Sequence, residues 1–227
     1  MKSSLLLAID TATRMASLAL HDGASVRVEL CWESQDHHTI ELIPRIAGML
    51  AQLEATVNDL SAITVSLGPG SFTGLRVGVA AAKGLALARG VPLIGVPTLD
   101  IVAQAMQDAR KPVVAVLAAG RGRLCAKRYR WNGKEFVADG PAWLTTACEL
   151  GADWTETTRV CGELTADERR EIQHRLGALV ELAMPAACLR RAGYLAELGW
   201  VRLRAGHTDD PATLVPIYIQ TPNGNPA

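Results

Sequence analysis

One pattern is written twice in this chain, and it limits the folds the chain can reach. The first stretch reads "LLLAID", "MASLALHDG" and "ASVRVELCWE": a buried-type apolar run, then two more runs set off by short polar turns. At residues 112–140, "PVVAVLAAGRGRLCAKRYRWNGKEFVADG" repeats strand, turn, strand, Asn-Gly-type turn and strand. Short apolar or alternating runs joined by tight turns predict antiparallel strands. After each such opening the text changes to alternating helical and strand patterns.

In the first half, "HHTIELIPRIAGMLAQLEA" predicts a helix, "AITVSLG" a short central strand, "GLRVGVAAAKGLALARG" a second helix, and "VPLIGV" a strand. A third helix is expected after Pro97, with Thr98 as its cap. In the second half a helical "TTACEL", a strand "TTRVCGEL", a polar helix "TADERREIQHRL" and a longer helix "AACLRRAGYLAELGWVRLR" follow in turn. The fold class expected is α/β, in two duplicated halves. That organisation resembles the actin/hexokinase/Hsp70 superfamily of paired ribonuclease-H-like domains. The polar text "QDARKP" places the expected boundary between an N-terminal domain, 1–108, and a C-terminal domain, 109–220. The turn-rich end 221–227 is expected to be disordered.

Both helices of the first half carry more apolar surface than one sheet can use. On a helical wheel Leu42, Ile43, Ile46, Ala47, Met49, Leu50, Ala51 and Leu53 span about half the circumference, whereas packing on one sheet needs a stripe of about 100° or somewhat more. The second helix is apolar or small nearly all round, with Arg76 and Lys83 on one narrow edge. Gly74, Gly78 and Ala82 recur every fourth residue, so close approach of another backbone is expected there.

The stretch "SLGPGSFTGLRVG" (Ser66–Gly78) raises the question of phosphate binding. It lacks the GxxxxGK[ST] of a P-loop, spaces its glycines as GxGxxxG rather than GxGxxG, and lacks the glycines a nucleophile elbow would need around Ser71. Two readings stand. Gly68 and Gly70 supply positive φ in a sharp turn capped by Ser71 or Thr73, or the helix start accepts an anion with Asp10, Thr11, Ser71 and Thr73 as contacts. Asp10 in "IDTATR" is also placed to form an Asx-turn.

Elsewhere "DHHTIE" brings Asp36, His37, His38 and Glu41 together, without the HExxH spacing of a zinc site. It reads as a solvated helix start with its acids near the positive end. In "AAGRGR", Arg121 and Arg123 stand at the second half's hairpin, as an exposed basic turn or as contacts for a phosphate or carboxylate. No Ser/His/Asp or Cys/His arrangement carries a local signature.

Composition narrows the classes further. The chain has 227 residues, 49% hydrophobic, with 23 basic and 23 acidic side chains, so an RNA-binding module acting alone is disfavoured. Five scattered cysteines without a CxxC pair point to free thiols in a reducing compartment. Asp10 interrupts the opening apolar run before a signal-peptide core develops, so a cytoplasmic protein without membrane spans is expected.

Taken in order, "LLAIDTATRMASLAL", "SLGPGSFTGLRVGVAAAKGLA" and "VPLIGVPTLD" resemble the bacterial TsaB (YeaZ-type) family. The resemblance covers Leu5 to about Asp100 strongly and the second half loosely. It implies a non-catalytic partner in the formation of N6-threonylcarbamoyladenosine at position 37 of tRNA, with no catalytic residues, metal or cofactor of its own. The implied partner is the TsaD-type catalytic subunit, with a TsaE-type ATPase in the larger complex, tRNA reached through the complex, and a homodimer as another pairing. Pairing in the family uses the two N-terminal helices, the same two that the wheel finds over-apolar. The residues expected at that interface are Ile40, Leu42, Ile46, Met49 and Leu53 on the first helix, and Thr73, Leu75, Gly78, Val79 and Ala82 on the second.

The second half departs from the family pattern: "AAGRGRLC" has Ala118 where an aspartate is usual and Cys125 where a tyrosine is usual, and "PIYIQ" replaces an arginine-ending form. The alternative left open is a small-molecule kinase or peptidase-like enzyme of the same superfamily acting alone.

Overall fold

A computed structural model describes residues 4–35, 38–106, 110–133 and 136–219. The stretch Leu5–Asp10 (β1) is buried at every position, which suits a strand covered on both faces. It pairs antiparallel with β2 (Met15–His21), which pairs antiparallel with β3 (Val26–Glu33). After helix α1 (His38–Gln52), β4 (Leu60–Ser66) enters parallel to β1. Helix α2 (Phe72–Arg89) then leads to β5 (Leu93–Val96), parallel to β4. The sheet order is β3-β2-β1-β4-β5, and α3 (Thr98–Gln104) follows.

The second sheet repeats this order. Strands β6 (Val113–Ala118), β7 (Arg123–Trp131) and β8 (Phe136–Ala138) are antiparallel, and β9 (Trp143–Thr146) also pairs with β7. Strand β10 (Thr158–Gly162) lies parallel to β6, helix α4 (Ala166–Leu176) follows, and β11 (Val180–Leu182) lies parallel to β10. Read from its other end, the order β11-β10-β6-β7-β8 becomes β8-β7-β6-β10-β11 and matches β3-β2-β1-β4-β5 strand for strand. The duplicated α/β halves expected from the sequence are present.

Three local expectations are corrected. "TTACEL" forms the end of β9 and a run of hydrogen-bonded turns rather than a helix, with Glu149 and Leu150 N–H groups returning to the Thr146 carbonyl. The long final helix is shorter at its start: a 3₁₀ turn (Pro185–Cys188) precedes α5 (Ala192–Arg204). The strictly sequential division at 108/109 also differs from the contact-defined one. Compact unit 1 runs to Ile101 and takes in Arg190–Ile217 as well, and unit 2 contains the intervening Val102–Leu189. The cause is packing: Ala192, Leu195 and Ala196 of α5 bury against Leu6, Ala8, Ala19 and Ala62 of the first sheet. Gly199 permits this, because a Cβ there would press on Thr64 of β4. The expected tail 221–227 lies outside the described residues.

The other face of the first sheet holds α1 and α2. Leu42, Ile46, Met49, Val79 and Ala82 pack there with Leu7, Ile9, Leu18, Ile63 and Val65. No helix among the described residues is long and apolar enough to cross a membrane.

Candidate functional site

Strands β1 and β4 are parallel neighbours, so their carboxyl ends, Asp10 and Ser66, meet at one edge of the sheet. Asp10 is fully buried. Its Oδ1 accepts the Ala12 N–H at 2.9 Å, the expected Asx-turn, and the Ser66 hydroxyl at 3.0 Å. Its Oδ2 accepts Arg190 Nε at 2.5 Å. The guanidinium is buried as well, and its Nη2 donates to Thr13 Oγ1 at 3.0 Å and to the Met15 carbonyl at 2.7 Å. Both carboxylate oxygens are therefore engaged, and a positive charge already sits on the acid. Within this chain Asp10 and Arg190 form a buried, hydrogen-bonded ion pair. Arg190 is absent from the sequence-derived residues: "LRRAG" carries no spacing signal, and only the adjacent arginine pair before an apolar helix marks it.

The glycine-rich turn is built to let this hairpin lie on the start of α2. Gly68 has φ 116°, as the sharp turn requires, and its N–H donates to Thr98 Oγ1 at 2.9 Å. The Thr98 hydroxyl thus serves the turn. Gly70 does not have positive φ. It is glycine because a Cβ would overlap the Ala12 carbonyl. At Gly74 a Cβ would overlap the Thr11 carbonyl, and at Gly78 the Thr11 hydroxyl. The Ser71 side chain caps α2 by accepting the Gly74 N–H at 3.2 Å, and the Ser71 N–H donates to the Ala12 carbonyl at 2.6 Å. Thr11 Oγ1 is buried and donates to the Gly74 carbonyl at 2.7 Å. Of the expected anion contacts, Asp10 and Thr11 are buried on partners within the chain, while Ser71 and Thr73 are exposed. The close approach expected along Gly74 and Gly78 comes from the chain's own hairpin.

The expected interface residues divide in the same way. Leu42, Ile46 and Met49 of α1, and Leu75, Gly78, Val79 and Ala82 of α2, are buried within this chain. They have no surface left for a partner, and that part of the expected interface is corrected. The wheel measures the width of an apolar arc but not which part faces the sheet. What remains outward is Ile40 at 71% exposure, Thr73 and the half-buried Leu53. To these the structure adds Ile43 at 53%, Phe72 at 46% and Leu87 at 69%. Gly48 in α1 and Gly84 in α2 are exposed as well, each with open space where a side chain would go.

Asp36 and His37 lie outside the described residues. His38 is buried, and Glu41 accepts the Trp32 indole N–H at 3.0 Å and pairs with Arg45 at 3.6 Å. Side-chain hydrogen bonds hold its carboxyl below the usual carboxylate range. Among the described residues no group of three or more His, Cys, Asp or Glu is placed to hold a metal ion.

The cysteines are not redox-paired. Burial pushes the Cys125 thiol up to about 12 and the Cys161 thiol further in the same direction, whereas Cys148 is exposed. Access favours Cys148, and burial disfavours the reactive thiolate at Cys125 and Cys161. Titration of the native protein with an aromatic disulfide reagent near pH 8 is expected to modify Cys148 first and to leave Cys125 and Cys161 unmodified until the chain is unfolded. Rapid native labelling of either buried thiol would contradict this packing.

Residues 32–222 match the family model described as "TsaD: tRNA N6-adenosine threonylcarbamoyltransferase". The chain belongs to this family, as a TsaB/YeaZ-type member. It is 36% identical to the tRNA threonylcarbamoyladenosine biosynthesis protein TsaB of Escherichia coli over 59% of this chain and 61% of that protein. To the Bacillus subtilis protein of the same name it is 28% identical over 95% of this chain and 93% of that one. The chain thus spans less than two thirds of the E. coli relative. Among solved structures, YeaZ from Pseudomonas aeruginosa superposes with a TM-score of 0.79 at 23% identity, covering 95% of this chain and all of that one. The ethanolamine utilization protein EutJ from Carboxydothermus hydrogenoformans superposes with a TM-score of 0.52 at 13% identity, over 86% of this chain and 90% of that one. These likenesses are likenesses of fold, two α/β halves of the same plan.

Proposed function

We propose that this TsaB-type chain is a non-catalytic docking subunit in the formation of threonylcarbamoyladenosine on tRNA. It pairs with a TsaD-type catalytic subunit through the outward faces of α1 and α2. A TsaE-type ATPase joins the larger complex, and tRNA is reached through that complex. One observation carries the reading: two neighbouring helices, already fully packed on their own sheet, still present Ile40, Ile43, Phe72 and Leu87 to solvent. Gly48 and Gly84 sharpen it. A glycine inside a helix costs about 1 kcal/mol relative to alanine, and neither position has a neighbour in the chain that requires one. Partner helices packed closely on this face supply such a reason. The buried pair of Asp10 with Arg190 supports the absence of phosphoryl chemistry in the first half.

The test is gel filtration and tRNA modification with the cognate TsaD-type protein. The wild type is expected to form a complex and to raise the modified fraction of tRNA. Ile43→Glu and Leu87→Glu leave the core untouched and place charge on the docking face. Each is expected to weaken the complex by about 30-fold or more, the scale of a buried hot spot worth about 2 kcal/mol. Full activity of the TsaD-type protein alone, with no complex formed, would overturn the reading. A homodimer through the same face would appear as a concentration-dependent species displaced by the TsaD-type protein.

A further inference from the structure

Strand register brings a set of cations to one rim of the second sheet. Val113 at the start of β6 lies opposite Tyr129 of β7 and beside Arg159 of β10. Arg110 and Lys111 just before β6, Arg128 and Arg130 near the end of β7, and Arg159 therefore share this rim. Three carboxylates answer them among the described residues. Glu156 accepts Arg128 Nη2 at 3.1 Å and Arg130 Nη1 at 2.8 Å. Asp139 accepts Arg130 Nε at 2.5 Å and stands 3.8 Å from Arg128 Nε. Glu181 accepts Lys111 Nζ at 3.1 Å and also pairs with Arg159. Each acid is already shared by two cations. Five cations thus meet three carboxylates, and the rim keeps a positive surplus in a chain whose net charge is zero.

Arg110 pairs with none of these three acids. Its guanidinium carbon lies 5.4 Å from the centre of the Trp131 ring, within the reach of about 6 Å for a cation–π contact. Trp143 and Trp154 pack into the core of this unit, whereas Trp131, the last residue of β7, stays 37% exposed. An exposed indole plane with a guanidinium on it, set on a rim with surplus positive charge, matches the two parts of an unpaired nucleotide. The phosphate meets the cations, and the base stacks on the indole or on the guanidinium plane. An acidic protein segment would use the charge and leave the planar surface without a counterpart. A nucleic-acid duplex keeps its base faces inside its own stack.

We propose that this rim is an RNA contact that takes an unpaired nucleotide, with Trp131 and Arg110 as its stacking pair. That the RNA is a tRNA rests on the function proposed above. A small surplus of charge suits a secondary grip on an RNA held mainly by the catalytic subunit. The test is an NMR titration of the ¹⁵N-labelled full chain with a tRNA anticodon stem-loop in one arm, inorganic polyphosphate in a second and polyglutamate in a third. The Trp131 indole N–H and the Arg130 and Trp131 amides are expected to shift saturably with the stem-loop, and the indole to stay in place in the other two arms. Raising salt from about 50 to about 200 mM is expected to weaken stem-loop binding about fivefold or more, the scale of two phosphate contacts. Trp131→Ala and Arg110→Ala change exposed side chains, and each is expected to weaken binding about fivefold or more while the β6 and β10 amides stay in place. Arg110→Lys, which keeps the charge and loses the plane, is expected to fall between. Absence of a saturable shift through millimolar RNA, equal indole shifts with polyphosphate or polyglutamate, or affinity unchanged in both alanine variants would overturn the proposal. Gel filtration with the TsaD-type subunit keeps the two readings apart: a wild type that fails to pair would overturn the docking role, and the rim is judged by the RNA titration of the chain alone.

Discussion

Arg190→Met is expected to destabilise the first unit by about 3–5 kcal/mol, because it leaves the Asp10 carboxylate buried without its counter-charge. The Thr13 hydroxyl and the Met15 carbonyl lose their donor in the same step. With a urea dependence of about 2–3 kcal/mol/M, the unfolding midpoint would move down by about 1–2 M. Amides of β1 and β2 are the place to follow it, since tryptophans stand in both units. Replacing both partners, Asp10→Asn with Arg190→Met, removes the orphaned charge. It is expected to regain at least half of the loss, although Ala12 N–H and Ser66 remain to be matched. A single-variant loss below about 1 kcal/mol would mean that the pair does not carry a buried charge at all.

Gly74→Ala and Gly84→Ala make the second large contrast, within one helix. Propensity alone favours alanine at both by up to about 1 kcal/mol. At Gly84 a Cβ meets open space, so the variant is expected to be more stable by a fraction of that amount. At Gly74 a Cβ overlaps the Thr11 carbonyl, a backbone atom that cannot swing aside, and the Thr11 hydroxyl bond to the Gly74 carbonyl is pried apart. The net effect expected is a loss of about 2 kcal/mol or more, in the upper range for overpacking. Thermal unfolding of the two variants side by side decides it. Equal melting temperatures would refute the close hairpin–helix contact. On the pairing proposed above, the same Gly84→Ala protein, stable but with its small face filled, should bind a TsaD-type subunit less tightly.

The duplicated α/β plan was legible because the antiparallel opening and the alternating helices and strands after it each leave a periodicity in the text, and the pattern occurs twice. The glycine turn was legible as a sharp, capped turn, but its reasons were assigned only in part. Gly68 serves φ as expected, while Gly70 and Gly74 serve contacts with residues about sixty positions away. Local sequence does not encode such distances. Arg190 was illegible for the same reason: its partner is 180 residues earlier in the chain. Helices α1 and α2 were identified as helices, and their faces were not, because burial depends on which arc the sheet claims.

The return of α5 to the first sheet has a consequence for synthesis. A ribosome adds about 5–20 residues per second. When the first hundred residues have emerged, β1, β2 and β4 still show one bare face, and Asp10 still awaits its guanidinium. The first half of the gene therefore does not encode a finished first unit. Completion waits for Arg190 to Ile217, several seconds later, and until then α1 and α2 rest on a sheet that is only half covered. The pairing proposed for these helices would meet an unfinished support until Arg190 to Ile217 have emerged.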